Sequence, residues 1–307
     1  MNNYWRKREE KHIRENQMND ARIAKRLAEK HEEAMQEIQK EIEAFYGRYA
    51  DREGISMDIS RKRVNKLDID EYAKKAKRYV KEKNFTPKAN EEMRLYNVTM
   101  KINRLQLLKA YVRLELIGMT SQNQRIIEEE MIKNVLKEYD RQAGILGKSL
   151  MYNEKKAKVI VNESFLSATW SDRLWGDQEA LREELDILLN KGVRQGKHPT
   201  VLAKDLRKRF DVSQFNAERL LVTELARVDT SVQKDSFKQG GYDQYEYVAK
   251  IDDRTTKECR GLDGQIFSVK DMQPGENAPP MHPFCRSSIA AYVSRKEFEA
   301  DLVRRGL

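Results

Sequence analysis

Cysteine is nearly missing from this sequence, with two in 307 residues. Two are too few for a disulfide framework, and in a reducing compartment they are not expected to pair while the protein is inside a cell. Proline and glycine are scarce, at 6 and 14, which argues against a compact sheet protein. No apolar run approaches the roughly 18 to 20 residues that a bilayer-crossing helix needs. The opening M-N-N-Y-W-R-K-R-E-E has no apolar signal-peptide core. No membrane partner is expected, and the expected compartment is the cytoplasm. Charge is abundant instead: 36% of residues are charged against 39% hydrophobic. With apolar residues recurring periodically, that is the balance of long solvated helices rather than of disorder.

The excess positive charge is local. Of the net +9, residues 61–113 carry 16 Lys or Arg against 6 Asp or Glu, a net of +10, and the rest of the chain stands at −1. A concentrated basic face attracts phosphate backbones without regard to sequence. Lys74, Lys75, Lys77, Arg78, Lys81 and Lys83 are therefore the candidate DNA-binding residues. They fall on a helix that starts at Asp68, with Glu71 in a capping-box relation, and ends at Asn84. The competing reading is a solvated helix whose interleaved Tyr72, Tyr79 and Phe85 pack on the next helix.

The expected fold is mainly α: long amphipathic helices in a bundle or extended appendage, with a small C-terminal α+β element. The length leaves room for two domains. Residues 1–150 form a helical, charge-rich N-terminal region. Asn3 to Tyr49 has no proline and sets Ile23, Leu27, Ala34, Ile38 and Phe45 at helical spacing. Gly47, Gly54, Ser56 and Ser60 mark a linker. Asn90 is placed as the cap of a helix whose Leu95, Val98, Ile102, Leu105, Leu108, Val112 and Leu116 trace a near-heptad, coiled-coil-like seam, left partly exposed in a monomer. A separate helix follows from Ser121 to Asp140. The A-G-I-L-G-K-S stretch has Gln142 where a phosphate loop needs its first glycine, and reads as a turn. Residues 151–307 form the C-terminal domain. It has helices over 153–240, with a turn around Trp170 and Trp175, a close at Gly192, a short helix from Pro199 to Phe210 and another from Ser213 to Gln239. A small β element over 245–294 and a last helix over 295–304 complete it.

Between Ala249 and Ser287 the residue types stop looking helical. Cys259, Cys285, His282, Pro279, Pro280 and Pro283 all fall there. The His282-x-x-Cys285 spacing sets an imidazole nitrogen and a thiolate on one small ion, with Cys259 arriving from a separate turn, so a zinc clip joining two loops is physically possible. A closed zinc site takes four ligands and only three soft ones exist. Asp252, Asp253, Asp263 or a water would complete it. The other reading, and the preferred one, is a metal-free, hydrogen-bonded loop cluster, with no cofactor and zinc left open.

Three segments carry a resemblance. V-T-E-L-A-R (Val222 to Arg227), I-D-D-R-T-T-K-E-C-R-G-L-D-G (Ile251 to Gly264) and P-P-M-H-P-F-C-R (Pro279 to Arg286) resemble, in content and order, the minor head proteins of tailed bacteriophages, the head-morphogenesis or Mu F-like family. They span about the last third of the chain. Many members carry C-x2-C and C-R-C where this chain has Leu262 and Ser287. The resemblance implies a minor, non-enzymatic structural protein of a phage head, incorporated in procapsid assembly. Its implied partners are the portal protein, packaged double-stranded DNA, and scaffold or major capsid protein. Its implied location is the host cytoplasm during assembly and then the virion, at the head interior or portal vertex. Glu224, Arg227, Asp252, Asp253 and Arg286 are then structural members of the motif.

Two other classes compete. An enzyme would use Cys259 or Cys285 with His282 as base, or Asp252 and Asp253 as nuclease carboxylates. The first needs base, orienter and oxyanion donors converging on the thiol, an awkward demand on a cysteine three residues after His282 in a Pro-flanked turn. Adjacent aspartates on a strand point to opposite faces, which weakens the second. A free-standing DNA-binding protein lacks any helix-turn-helix pattern to support sequence readout.

Overall fold

Long runs of Glu, Lys, Arg, Ala and Leu with no internal proline give three helices of 48, 43 and 42 residues. The computed structural model describes residues 2–49, 66–94, 103–195 and 197–293. In chain order its elements are α1 (Asn2–Tyr49), α2 (Lys66–Glu82), α3 (Pro87–Arg94), α4 (Arg104–Leu146), α5 (Glu154–Asn162), α6 (Trp170–Arg194), α7 (Pro199–Gly240), β1 (Gln244–Val248), α8 (Lys257–Leu262), β2 (Ile266–Ser268) and β3 (Ser288–Tyr292). The fold is mainly helical with a small antiparallel sheet near the C-terminus, in the order β2-β1-β3. Gly47 is a helical residue of α1 rather than the start of a linker; Gly54, Ser56, Ser60, Leu95, Val98, Ile102 and the helix expected over 295–304 lie outside the described residues.

The chain divides into two compact units, one from Met1–Ile23, Glu128–Trp170 and Arg219–Leu307, the other from Ala24–Ile127 and Ser171–Glu218. The boundary expected at residue 150 falls inside one stretch of the first unit. That unit's core joins Trp5 and Ile13 of α1, Leu146 of α4 and Phe237 of α7 to Tyr245, Val248, Ile289 and Ala291 of the sheet. Trp5 meets Tyr242 edge to face, ring centroids 5.6 Å apart. Arg6 ties the start of α1 to the sheet region, donating to Glu246 at 2.7 Å and to both oxygens of Asp263 at 2.9 Å.

The second unit is built on Ala34 to Tyr46 of α1, Leu105, Leu108, Val112 and Leu116 of α4, Leu181 to Val193 of α6, and Leu202, Leu206 and Phe210 of α7. The described part of the seam expected to lie partly exposed is thus covered within the chain itself. Tyr72, Tyr79 and Phe85 pack on α4 in an adjoining cluster with Tyr111 and Leu114, Tyr72 meeting Tyr111 edge to face.

Several expected boundaries are corrected. Asn90 lies inside α3; the cap is Thr86, whose hydroxyl accepts from the Ala89 N–H at 3.2 Å, with Pro87 at the first helical position. At the start of α4, Asn103 and Gln106 cap each other reciprocally. No break separates a Ser121–Asp140 helix, because α4 runs through it. Gly118 is a place of close approach instead: a Cβ there would lie 2.8 Å from Lys83 Cδ. Trp170 and Trp175 sit in the opening turns of α6, both buried, rather than in a turn. Gly192 does not end α6. A Cβ on it would stand 2.4 Å from Leu202 Cδ2, so the glycine lets a fully buried side chain of α7 touch the backbone of α6. The helices expected over 199–210 and 213–239 are one, since Asp211, Val212 and Ser213 include no breaker.

Candidate functional site

The loop cluster of the first unit is assembled by local hydrogen bonding. Thr256 caps α8, accepting from the Cys259 N–H, and so sets Cys259 in the first turn. The loop from Pro279 contains a cis Pro279–Pro280 bond, and Phe284 has φ 58. The Cys285 N–H donates to the His282 carbonyl at 3.1 Å. His282 Nδ1 donates to the Pro283 carbonyl at 2.8 Å, which leaves Nε2 with its lone pair toward Cys259.

Three ligand-type atoms converge there. Cys259 Sγ lies 3.3 Å from His282 Nε2 and 3.9 Å from Cys285 Sγ. A tetrahedral zinc with Zn–S near 2.3 Å and Zn–N near 2.0 Å sets sulfur to sulfur at about 3.8 Å and sulfur to nitrogen at about 3.5 Å, so the three residues fit the ion. Both cysteines are free and buried. Tyr247 of β1 donates its hydroxyl to Cys259 Sγ at 3.3 Å. The hydrogen bond from Cys285 holds the Cys259 thiol down to about 4; burial opposes this and Tyr247 assists it. The same contact, with burial, pushes Cys285 well up. Without an ion the pair is one thiolate and one thiol sharing a proton.

The carboxylates considered as a fourth ligand are placed elsewhere. Asp252 forms a two-pronged pair with Arg286, at 2.7 and 2.9 Å, and accepts from the Arg254 N–H. Arg286 holds the Asp252 carboxyl well below the usual carboxylate range. Asp263 accepts from Arg6 and from the Ala249 N–H. Asp253 is exposed. Among the described residues the thiol cluster holds Cys259, His282 and Cys285.

The V-T-E-L-A-R segment on α7 supports this loop. Thr223 Oγ1 accepts from the Phe284 N–H at 3.2 Å, one residue before Cys285. Arg227 bonds Glu224 at 2.6 Å, and its two terminal nitrogens donate to the carbonyls of Ile160 and Val161 at the end of α5. The Ile160 carbonyl also accepts from the Glu163 N–H at 3.4 Å, so the buried guanidinium adds to the closure of the helix end. Sequence reading made Glu224 and Arg227 structural members of the motif but gave no role to Thr223 or Tyr247, whose partners lie far along the chain.

The six candidate DNA-binding residues, five on α2 and Lys83 just after it, separate into two groups. Lys75 reaches inward to Glu41 and to the fully buried Glu115, at 2.7 Å each. Lys83 lies over Gly118 with its ammonium 3.5 Å from Glu115 and 4.2 Å from the centre of the Tyr79 ring. Lys74, Lys77, Arg78 and Lys81 are exposed. Their spacing of three, four and seven residues puts them on one face of the helix. The exposed Arg78–Glu82 pair at 3.6 Å does little to neutralise it.

Residues 183–290 match the family model described as Phage Mu protein F like protein. This stretch is similar to that family, and is called the Mu F-like domain below. The family is one of phage head-morphogenesis and minor head proteins. The Mu F-like domain contains all three resembling segments and the whole thiol cluster. Among curated proteins and solved structures, none matches the chain significantly. Among the described residues no helix is long and apolar enough to cross a membrane.

Proposed function

We propose that this protein is a minor structural component of a tailed-phage head that enters the procapsid during assembly and contacts the portal protein and the packaged DNA. The Mu F-like domain supports the head assignment. The observation that carries the DNA contact is the exposed face of Lys74, Lys77, Arg78 and Lys81, four cations along one side of α2. Phosphates are the partner such a face suits. A structural rather than catalytic use of the thiol cluster is favoured by the burial of Cys259 and Cys285, each 2% exposed, which leaves no approach for a substrate carbonyl. In this reading Cys259, His282 and Cys285 join the α8 turn to the proline loop, and a zinc ion would close that joint.

Two measurements test the proposal. Reversal of the four exposed cations to glutamate, with Lys75 and Lys83 retained, should abolish binding to double-stranded DNA. Wild-type affinity should fall on the order of a hundredfold for a fourfold rise in salt, as expected for about four phosphate contacts. Co-expression with the cognate portal should place the wild-type chain in procapsids. Salt-independent binding would remove the DNA contact, and absence from procapsids would remove the head assignment.

A further inference from the structure

A second convergence of ligand-type atoms lies in the first unit, outside the thiol cluster. His12 of α1, Glu138 of α4 and Asp229 of α7 are all buried, and their ligand atoms lie within 4.8 Å of one another. His12 Nε2 is 3.3 Å from Glu138 Oε2 and 3.8 Å from Asp229 Oδ2. One turn along α1, the amide nitrogen of Asn16 stands 3.0 Å from both His12 Nε2 and Asp229 Oδ2. Asn134 donates its amide to Asp229 Oδ1 at 2.6 Å. A cleft opens beside His12, Asn16 and Asp229, with Asp20 also on its wall.

The hydrogen-bond directions at this focus do not close with a single proton. If the Asn16 amide donates to both neighbours, His12 Nε2 carries a lone pair, and that lone pair faces the Glu138 carboxylate with no hydrogen between them. If the Asn16 carboxamide is turned, its oxygen accepts from a protonated His12 but meets Asp229 Oδ2 at the same 3.0 Å, oxygen against carboxylate oxygen. Charge points the same way. Arg141, the guanidinium of this network, is engaged by Glu9 at 2.8 and 3.0 Å and by Glu138 at 2.6 Å. Asp229 is left with His12 and two neutral amides. The negative field is felt at the cleft wall, where burial first and Asp229 second push Asp20 up to about 7.

We propose that this focus holds one divalent transition-metal cation, bound through His12 Nε2, Glu138 and Asp229, with the Asn16 carbonyl and Asp20 facing it. One imidazole nitrogen with carboxylate oxygens is a donor set for manganese or zinc, harder than the thiolate cluster. The ion joins three helices whose ligands lie far apart in sequence, so it acts as a cross-link of the folded unit. Asn16 accepts this role by turning its oxygen toward the ion.

The test is a Mn2+ titration of the chelator-treated full-length protein, followed by the electron paramagnetic resonance signal of free Mn2+. The expected result is uptake of one Mn2+ per chain with a raised melting temperature. Cys259→Ser with Cys285→Ser should leave uptake unchanged, because manganese is poorly suited to thiolates. Asp229→Asn and, separately, His12→Asn should each weaken it at least about tenfold. No uptake by the wild-type chain would overturn the proposal and mean that protons on His12 and Asp229 satisfy the site instead. Uptake that persists in both the Asp229→Asn and His12→Asn chains, or that vanishes with the cysteines, would overturn it equally.

Discussion

His31 shows how one buried side chain makes stability depend on pH. Its Nδ1 donates to the Leu27 carbonyl at 2.9 Å, so Nε2 is the acceptor and faces the Ser213 hydroxyl at 3.4 Å. Burial lowers its pKa, the Leu27 contact opposing only in part. The folded state therefore keeps the neutral ring below the ordinary value of about 6.5, where the unfolded chain takes up a proton. Stability from this site is present above that value and is lost as pH falls, by up to about 1.4 kcal/mol per pH unit until the folded value is reached. Urea unfolding at pH values of about 7.5 and about 5.5 should show a smaller loss for His31→Gln than for the wild type. Equal losses would mean that His31 does not titrate between folded and unfolded states.

At the scale of helices, glycine has two opposite meanings in this chain. Helix propensity alone makes Gly192→Ala stabilising by about 1 kcal/mol. The close approach of Leu202 reverses the sign, because the added methyl would overlap a fully buried side chain and force it off its rotamer. Gly192→Ala is expected to lose about 1–3 kcal/mol, read as a lower urea midpoint. A midpoint raised by the substitution would show that α6 and α7 yield at this contact. The same contact explains what the sequence could not reveal. Gly192 reads as a helix end, because a glycine is punctuation until the side chain that crosses it is known. The span of α1, that of α2 to within two residues, and the small β element were legible, since periodicity and turn residues act locally. The loop cluster was legible too, because its composition departs from its helical surroundings. His12, Glu138 and Asp229 were not, since each sits singly on a charge-rich helix and only tertiary packing brings them together.

At the scale of the whole chain, both cores draw on residues from either side of residue 150. One needs Trp5, Ile13 and Leu146 together with Phe237 to Ala291, the other Ala34 to Met119 together with Leu181 to Phe210. Fragments 1–150 and 151–307, expressed separately, should each lack cooperative thermal unfolding, and their co-expression should restore it, as followed by circular dichroism. A cooperative transition in fragment 151–307 alone would show that the Mu F-like half holds a sufficient core without α1 and α4.

The bond from Arg6 to Asp263 joins residues 257 apart in sequence. While a ribosome makes the chain, the first turns of α1 have no sheet to dock on until the strands from Gln244 onward have emerged. At a synthesis rate of about 5–20 residues per second, that wait is roughly 10–50 s. For that interval Trp5 and Ile13 are uncovered apolar surface at the start of α1, open to chaperones and to other nascent chains. The closing of this unit is thus a late event in the making of each molecule, set by the emergence of the sheet rather than by that of its N-terminal helix.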